Sequence, residues 1–393
     1  VNDDPFEVAM VAVDPDNGHV KALVGGRDYY TSQVNIATGL GGSGRQAGSA
    51  FKTFTLVAAL EEGVSPDTLV DCSTTVEYPG WKVANIDYHD YGTRSIARAF
   101  AVSSNTGFAR LIMSIGPEKV VDAAHRMGIE SPLQAIGSLT LGSESVTPLE
   151  MADAYATLAN GGTHYDAECI LRIEDRKGET IVDNSHPAGE QVLSSEVAHA
   201  AVEVMKGVIN TYEGTGTDAA LLNGQEAAGK TGTSENRKDR WFCGITPQLS
   251  VAIWMGDRSD LDEAKSLPSS LTCTSAFADF MNAVLKGKPT ERFPDAEDPP
   301  YNKNFRDEEN HIGSGYYSSG YSSAKSEAND AGQATDEKAD DAAQKPSEPG
   351  GETPGGETPG ESSGGESPGG GGDPGGGEDP GGGEDPGSER MTG

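Results

Sequence analysis

The chain has 393 residues, of which 29 are lysine or arginine and 62 are aspartate or glutamate, giving a formal net charge of −33. This charge, without any basic cluster, argues against a protein that binds nucleic acid through its phosphates. The length suffices for one large domain or two ordinary ones. No apolar run approaches the roughly 18 residues of a membrane-spanning helix, and no signal peptide is recognisable.

Composition divides the chain into a body and a C-terminal tail. Beyond about residue 300 apolar residues become rare, and a Gly/Pro/Glu repeat occupies residues 350–386. Such a segment buries too little apolar surface to offset its chain entropy. We therefore predict a folded domain over residues 1–296 and an acidic, disordered tail over residues 297–393.

The cysteines and histidines predict neither a metal site nor a cofactor. The four cysteines allow three disulfide pairings, and buried free thiols explain them equally well. None has C-x-x-C spacing, and the seven histidines show no ligand pattern such as H-E-x-x-H. The cysteines are Cys72, Cys169, Cys243 and Cys273.

The first elements predicted along the chain are a β-hairpin and a buried helix. Residues 8–13 and 19–24 are rich in β-forming residues and flank a Pro/Asn/Gly turn, which is typical of a hairpin. Residues 48–63 form a mostly apolar run that begins and ends with glycine. Apolar residues on nearly every face predict a helix enclosed by the fold.

Helical patterns dominate the middle of the chain, after an irregular stretch around residues 78–92. The helix over residues 147–160 has the most complete start signal, with Thr147 as N-cap, proline at the first helical position and Glu150 closing a capping box. The other predicted helices cover residues 93–102, 107–115, 195–209 and 275–286. Strands are predicted at residues 170–182, 227–233, 240–245 and 249–255.

Within the enclosed helix, Ser49 and Lys52 lie three residues apart and share a face. A lysine buried among apolar side chains loses its proton more easily and can serve as a base for a serine hydroxyl. The S-x-x-K pattern alone is also compatible with an ordinary helix start. Ser322 and Lys325 repeat it in the polar tail, where nothing could bury the lysine.

A second short motif, Ser103-x-Asn105, falls between two predicted helices. Serine and asparagine are favoured at helix caps, so capping alone explains it as well. The same pattern recurs at Ser234 and Asn236.

A third motif, Lys230-Thr231-Gly232 followed by Thr233, stands at the end of a predicted strand. A glycine there lets another backbone approach closely, and the lysine and the hydroxyls are suited to an anionic group. Residues 224–231 also match the P-loop pattern G-x-x-x-x-G-K-[ST]. A P-loop needs a helix directly after it, whereas turn-like residues follow here, so a nucleotide-binding protein is only a remote alternative.

Taken in chain order, the three motifs resemble the signature shared by penicillin-binding proteins and serine β-lactamases. With its flanking residues, the chain is similar over about residues 5–287 to the transpeptidase domain of class A (bifunctional) penicillin-binding proteins. Ala50 and Thr53 stand where serine and proline are commoner in that family. The flanking stretches are residues 20–27, 45–49, 147–162, 228–233 and 241–244.

The resemblance implies an α+β fold with a central antiparallel sheet flanked by helices and a mainly helical subdomain. It implies a D,D-transpeptidase that crosslinks peptidoglycan stem peptides, is acylated by β-lactams and uses no cofactor. The family also places a glycosyltransferase domain and a membrane anchor before this domain, on the extracytoplasmic face of the bacterial membrane. We therefore expect the chain, which starts at Val1 without Met, to be a fragment.

For the site, the resemblance implies that Ser49 attacks the carbonyl between two terminal D-alanines and that neutral Lys52 takes its proton. Ser103 would relay a proton to the departing D-alanine, and Asn105 would bind the backbone amide of the substrate. The substrate carboxylate would be held by Lys230 and the stretch that follows it, namely Thr231, Gly232 and Thr233. The backbone N–H groups of Ser49 and Thr233 would form the oxyanion hole.

Two alternatives remain open at the level of sequence. One is a hydrolase of the same fold, either a D,D-carboxypeptidase or a β-lactamase, although the E-x-x-L-N loop of the commonest β-lactamases is absent. The other is a wall-binding or drug-sensing module that is acylated without turnover.

Overall fold

The structure, a computed structural model, describes residues 6–30, 32–234, 237–257, 272–302 and 304–313. The chain from residue 314 onward, with the second S-x-x-K pair Ser322 and Lys325, lies outside the described residues. Asn236 of the second S-x-N pattern does so too.

The secondary structure alternates between long core elements and short strands. The strands are β1 (Phe6–Val13), β2 (Val20–Val24), β3 (Arg45–Gln46), β4 (Leu69–Asp71), β5 (Thr75–Tyr78), β6 (Trp81–Ala84), β7 (Thr93–Ser95), β8 (Ser145–Val146), β9 (Thr163–His164), β10 (Arg172–Glu174), β11 (Thr180–Asp183), β12 (Glu190–Gln191), β13 (Ala228–Thr233), β14 (Asp239–Ile245) and β15 (Ser250–Asp257). The helices are α1 (Lys52–Glu61), α2 (Ile96–Ala101), α3 (Asn105–Ile115), α4 (Pro117–Arg126), α5 (Pro148–Ala159), α6 (Ser195–Asn210) and α7 (Cys273–Val284).

Five strands form the central sheet in the order β13-β14-β15-β1-β2, with every neighbouring pair antiparallel. The N-terminal hairpin joins the C-terminal strands through β1 and β15, where Phe6 lies opposite Asp257 and Val13 opposite Ser250. Strand β13, which carries Lys230, stands at the edge of the sheet. Because an edge strand has unpaired backbone groups along one side, β13 can pair with an extended peptide.

Alternate residues of the sheet face two hydrophobic cores. Trp241 and Cys243 of β14 pack in the larger core with α1, α5 and α6, whereas Phe242 packs against Phe277 of α7 on the other face. This division follows from the strand geometry, since successive side chains point to opposite faces. Helices therefore cover both faces, and the predicted α+β fold with a central antiparallel sheet is confirmed.

The enclosed helix predicted at residues 48–63 is present as a 3₁₀ turn over Gly48–Phe51 that continues into α1. Every residue from 48 to 60 is buried, because the turn packs on β13 and the helix packs on α3, α4 and α6. Ser49 thus lies on the 3₁₀ turn, and Lys52 lies on the first turn of the α-helix.

The capping box predicted for residues 147–160 is confirmed at the start of α5. The Thr147 hydroxyl accepts a hydrogen bond from the Glu150 N–H at 3.2 Å, and the Glu150 carboxylate accepts one from the Thr147 N–H at 2.7 Å. The helix predicted at residues 93–102 begins later, because Ser95 caps it and Thr93–Ser95 pairs with β4. The irregular stretch contains a further hairpin, β5-β6.

The segment 304–313, which falls within the predicted tail of residues 297–393, packs on the body. Ile312 is fully buried and bridges Val70 of β4, and the Gly313 N–H donates to the Leu69 carbonyl at 2.8 Å. The Tyr78 hydroxyl donates to Asn310 at 2.8 Å. Isoleucine gives this segment an apolar side chain to bury, which the Gly/Pro/Glu repeat lacks. The extent of the tail beyond residue 313 stays a prediction.

All four cysteines are free thiols. Cys72, Cys243 and Cys273 are buried, and Cys169 is exposed. None of the three pairings that the sequence allowed is therefore formed, and free thiols account for all four. Within the described ranges, no helix combines the length and the apolar character needed to cross a membrane.

Candidate active site

Ser49 lies where three elements meet. Gly48 has a φ of +56°, and a Cβ placed on it would lie 2.5 Å from the Thr233 carbonyl oxygen, so only glycine fits here without strain. On the other side, a Cβ on Gly142 would lie 2.3 Å from the Gly48 backbone nitrogen. This packing brings the backbone of Ser49 alongside Thr233, the two residues whose N–H groups are predicted to form the oxyanion hole.

Lys52 connects Ser49 with the S-x-N motif. Its Nζ donates to the Ser49 hydroxyl at 3.0 Å, as the spacing of three residues predicted. It also donates to the Ser103 carbonyl at 2.7 Å and to the Asn105 side-chain oxygen at 2.8 Å, and it lies 3.3 Å from the Ser103 hydroxyl. The first two motifs therefore form one hydrogen-bonded group around a single ammonium or amine.

Ser103 occupies the turn between α2 and α3 in a left-handed conformation, with a φ of +59°. A serine is uncommon there, and such conformations persist only when the surroundings hold them. The following Ser104 caps α3 by accepting a hydrogen bond from the Gly107 N–H at 3.1 Å. Capping and the active-site contacts thus belong to different serines of the same pair.

Lys230 completes the group from the edge of the sheet. Its Nζ donates to the Ser103 hydroxyl at 2.8 Å and to the Thr231 carbonyl at 3.2 Å. A Cβ on Gly232 would lie 2.3 Å from the Ala47 carbonyl oxygen and 3.2 Å from the Ala50 Cβ, so the predicted close approach of another backbone is confirmed. The two lysines consequently meet across the hydroxyl of Ser103.

A cavity of about 560 Å³ opens over these residues. It is lined by Ser49, Ser103 and the stretch from Thr231 to Thr233, together with Thr215 and Trp241. Volumes of this order are typical of small-molecule and substrate sites. All eight residues predicted for the site, namely Ser49, Lys52, Ser103, Asn105, Lys230, Thr231, Gly232 and Thr233, thus lie at or directly beneath one cavity.

A family model described as the penicillin binding protein transpeptidase domain matches residues 8–266. The chain is 33% identical over 302 residues to Penicillin-binding protein 1A of Aquifex aeolicus (strain VF5), an alignment that covers 76% of this chain and 40% of that relative. It is also 33% identical over 301 residues to Penicillin-binding protein 2D of Bacillus subtilis (strain 168), an alignment that covers 73% of this chain and 42% of that relative. This chain belongs to the penicillin-binding protein transpeptidase family. It spans about two fifths of the length of these relatives.

Solved structures of the family have the same fold. The PonA1 protein of Mycobacterium tuberculosis in complex with penicillin V superposes with a TM-score of 0.67 at 31% identity, covering 76% of this chain and 83% of that one. The D,D-transpeptidase domain of a peptidoglycan glycosyltransferase from Eggerthella lenta superposes with a TM-score of 0.59 at 26% identity. This superposition covers 72% of this chain and 78% of that one. The predicted resemblance to class A penicillin-binding proteins is therefore confirmed.

The environment of this transpeptidase site favours uncharged lysines. Burial lowers the pKa of Lys52 well below its ordinary value, and the positive charge of Lys230 lowers it further. Burial also lowers the pKa of Lys230, to about 7. The buried rings of Phe108 and Phe100 lie 5.9 and 5.4 Å from the two lysine nitrogens, so apolar surface surrounds part of each side chain. A neutral lysine beside Ser49 is what the predicted base requires.

The P-loop alternative is wrong. Lys230 lies inside the antiparallel strand β13 with its side chain fully buried against Ser103, not in a loop that surrounds a phosphate. The strand is followed by a turn toward β14, and the described residues between these two strands contain no α-helix. A phosphate nest needs backbone N–H groups at the start of a helix, and this geometry lacks that start.

Asn85 is a buried residue that the sequence patterns did not single out. Its Oδ1 accepts hydrogen bonds from the N–H groups of Asn105 at 2.9 Å and Thr106 at 3.1 Å, where α3 begins. Its Nδ2 donates to three backbone carbonyls, those of Cys72, Ser73 and His89. Asn85 therefore fixes the start of α3 and, through it, the position of Asn105. An asparagine in an irregular stretch gave no sign of this, since its partners at α3 are about 20 residues away.

Asp239 is a second missed residue, at the turn that follows Thr233. Its buried carboxylate accepts hydrogen bonds from the Trp254 indole at 2.9 Å and from the Ser234 hydroxyl at 2.6 Å. Ser234, part of the repeated S-x-N pattern, thus serves the turn between β13 and β14. Both missed residues hold backbone segments that carry the motif residues.

Proposed function

We propose that this domain is a D,D-transpeptidase that crosslinks peptidoglycan stem peptides through an acyl-enzyme on Ser49. The observation that carries the proposal is the burial of Lys52 and the identity of its hydrogen-bond partners. Its Nζ lies 3.0 Å from the Ser49 hydroxyl, it is fully buried, and its hydrogen-bond partners among the described residues are all neutral oxygens. A buried amine that has no anion beside it is suited to accept the proton of a nucleophilic serine.

In the first half of the reaction, Ser49 Oγ would attack the carbonyl carbon between the two terminal D-alanines while Lys52 accepts the hydroxyl proton. The N–H groups of Ser49 and Thr233 would stabilise the oxygen that becomes negative. The C–N bond then breaks, and the leaving nitrogen takes a proton from Lys52 by way of Ser103. The contact of 3.3 Å between Lys52 Nζ and Ser103 Oγ supports this relay. The products are an ester on Ser49 and free D-alanine.

In the second half, the amine of another stem peptide would attack the ester. Lys52 would take a proton from the amine, and Ser49 would regain its hydrogen as the ester bond breaks. The new amide is the crosslink. If water attacked in place of the amine, the outcome would be that of a D,D-carboxypeptidase or a β-lactamase, the alternatives of the same fold.

Substrate binding would use the edge strand. Lys230, Thr231 and Thr233 would hold the terminal carboxylate, Gly232 would leave room for the close backbone, and Asn105 would bind a backbone amide of the peptide. The open edge of β13 beside the cavity supports an extended peptide in this position. β-Lactams present a comparable carbonyl and carboxylate, and we propose that they acylate the same serine.

Intact-protein mass spectrometry after exposure to benzylpenicillin tests the proposal. We expect one covalent adduct, which peptide mapping places on Ser49, and no adduct on Ser49→Ala. Ser322→Ala serves as the matched control, because it removes the serine of the other S-x-x-K copy and should react like the unchanged protein. An adduct that persists in Ser49→Ala, or that maps to Ser322, would overturn the assignment.

Transpeptidation is distinguished from hydrolysis by the fate of the acyl group. A peptide ending in D-alanyl-D-alanine should yield a crosslinked product when a stem peptide with a free amine is present. Release of D-alanine with the shortened peptide as the sole other product, at every amine concentration, would favour the carboxypeptidase instead.

We further propose that the whole protein carries a glycosyltransferase domain and a membrane anchor and works on the extracytoplasmic face of the bacterial membrane. The relatives, which are more than twice as long as their matched part, support this. Fractionation of cells that produce the native protein, with labelled penicillin as the probe, would test it. Label found in the soluble cytoplasmic fraction would contradict the proposal.

A further inference from the structure

Thr215 stands on a short loop between α6 and β13 that belongs to none of the three motifs. The loop is held at both ends. Glu213 forms two hydrogen bonds with Arg94, at 3.1 and 3.2 Å, and the Gly216 N–H donates to the Val208 carbonyl at 3.0 Å. The Thr215 N–H donates to the Ala101 carbonyl at 3.2 Å, at the end of α2. The position of Thr215 is therefore fixed by packing on the helical side of the site.

The side chain of Thr215 reaches the edge strand. Its hydroxyl lies 2.6 Å from the hydroxyl of Thr231, and both residues line the cavity above Ser49. The Thr231 hydroxyl also lies 3.5 Å from the Lys230 ammonium. Thr231 thus has two neighbours of its own before any ligand is bound.

The hydrogen-bonding capacity of the Thr215 and Thr231 hydroxyls limits which of them can donate when a carboxylate binds. A threonine hydroxyl has one hydrogen to donate and two lone pairs to accept with. A carboxylate can only accept, so Thr231 must give it that one hydrogen. Thr231 then has nothing left to donate to Thr215, and the bond between the hydroxyls persists only if Thr215 is the donor. The hydrogen of Thr231 is thereby directed at the ligand.

We propose that Thr215 is a positioning residue for the carboxylate of the acyl donor, acting through the hydroxyl of Thr231. This inference rests on the proposed function, since it concerns the same substrate carboxylate. A hydroxyl that accepts one hydrogen bond becomes a stronger donor in the next, so the chain from Thr215 through Thr231 favours an anionic terminus over a neutral one. The acyl donors selected are therefore those that end in a free carboxylate.

The exposure of Thr215 limits how much the loss of its hydroxyl can weaken the binding of a carboxylate. Thr215 is exposed, so water replaces part of the lost contact when its hydroxyl is removed. The net contribution of one hydrogen bond corresponds to a change of about five- to tenfold in an equilibrium constant. We expect this change in binding that precedes acylation, because Thr215 contacts neither Ser49 nor Lys52.

The experiment compares benzylpenicillin with its methyl ester on the full chain, with intact mass as the readout over hours so that slow reactions are also measured. Thr215→Val should lower the second-order acylation constant for benzylpenicillin about five- to tenfold and leave that for the ester unchanged. The loss should appear in the dissociation constant of the complex before acylation. Thr215→Ser keeps a hydroxyl and should restore the rate. Thr217→Val is the matched control on the same connection, because the exposed Thr217 side chain forms no hydrogen bond with the described residues.

Three results would overturn the inference. These are a Thr215→Val rate equal to that of the unchanged protein, an equal loss with the acid and the ester, and a loss confined to the acylation step. The last two would show that the loop merely supports the position of Ser103 through Ala101. If the unchanged protein were not acylated on Ser49 at all, the proposed function itself would fail, and the two failures are therefore distinguishable.

Discussion

Two groups of basic side chains in this domain have opposite surroundings. In the active site, Lys52 and Lys230 contact serine, asparagine and threonine oxygens, all of them neutral. In the cluster beneath the C-terminal segment, Arg110 donates to the Asp71 carboxylate at 2.9 Å, and His311 lies 3.4 Å from it on the other side. Among the described residues, the two lysines have no carboxylate as a hydrogen-bond partner, whereas the second group is arranged around the carboxylate of Asp71.

The difference shows how burial can serve either chemistry or stability. A buried cation without a carboxylate is pushed toward its neutral form, so the pKa of each active-site lysine falls. A buried guanidinium beside a carboxylate keeps its charge, and the pair holds strand β4 to α3. We therefore expect changes in the first group to affect the acylation rate and changes in the second to affect the free energy of unfolding.

The largest expected effect is that of Lys52→Met, which keeps the length of the side chain and removes the base. Acylation by benzylpenicillin should slow by about a thousandfold or more, because general-base assistance is lost. The melting temperature should not fall, since a buried amine gives way to an apolar group. The check is the acylation rate with Lys119→Met as a surface control, and a rate within tenfold of the unchanged protein would contradict the role of Lys52.

Lys230→Ala should slow acylation by about two orders of magnitude, the scale of losing one charge-assisted contact in a preorganised site. Thr233→Val should have a milder effect, because the backbone N–H that we predict to face the oxyanion would be kept. Rates for both variants and their circular-dichroism spectra test this, the spectra showing whether the fold is intact. If Thr233→Val were slower than Lys230→Ala, the assignment of the carboxylate to the lysine would be wrong.

The pH dependence of acylation follows from the two lysines. The rate should rise with pH as Lys52 loses its proton, because only the neutral amine is a base. It should fall on the alkaline side as Lys230, with a pKa of about 7, loses the charge that attracts the carboxylate. Once Lys52 is neutral, the fall for benzylpenicillin should approach about tenfold per pH unit well above the pKa of Lys230. The methyl ester should show no alkaline fall, and a parallel fall with the ester would remove Lys230 as its cause.

Arg110→Met should lower the free energy of unfolding by about 3 kcal/mol, since it leaves the Asp71 carboxylate partly buried without its main partner. Acylation measured well below the melting temperature should change by less than about twofold, because the cluster does not contact the reacting groups. Urea denaturation and the acylation rate are the two measurements. Lys82→Met breaks an exposed ion pair with Glu77 and should change stability by less than about 1 kcal/mol.

The smallest effect is expected from the C-terminal chain. A protein ending at Gly313 should acylate and melt like the full chain. One ending at Asp298 should melt several degrees lower, because it lacks the buried Ile312 and the bridge to β4. Differential scanning calorimetry of both truncations decides this. Equal melting temperatures would show that the C-terminal segment adds nothing to the body.

Local patterns in the sequence determined much of this protein. The spacing of Ser49 and Lys52 predicted their contact because residues three apart share a helical face. The capping box at Thr147 and the N-terminal hairpin followed for the same reason, since each depends on neighbours within a few residues. The composition also indicated a change of character near residue 300, although the described residues 304–313 still pack on the body.

Tertiary structure decided the contacts between residues far apart in the chain. Lys230 of the edge strand and Ser103 of the turn between α2 and α3 meet only in the folded domain, since no local period encodes a contact across 127 positions. The roles of Asn85 and Thr215 arise in the same way, from hydrogen bonds between separate elements. The low pKa of each lysine is likewise a property of the assembled core, because burial without an anion exists only after the sheet and the helices have closed around it.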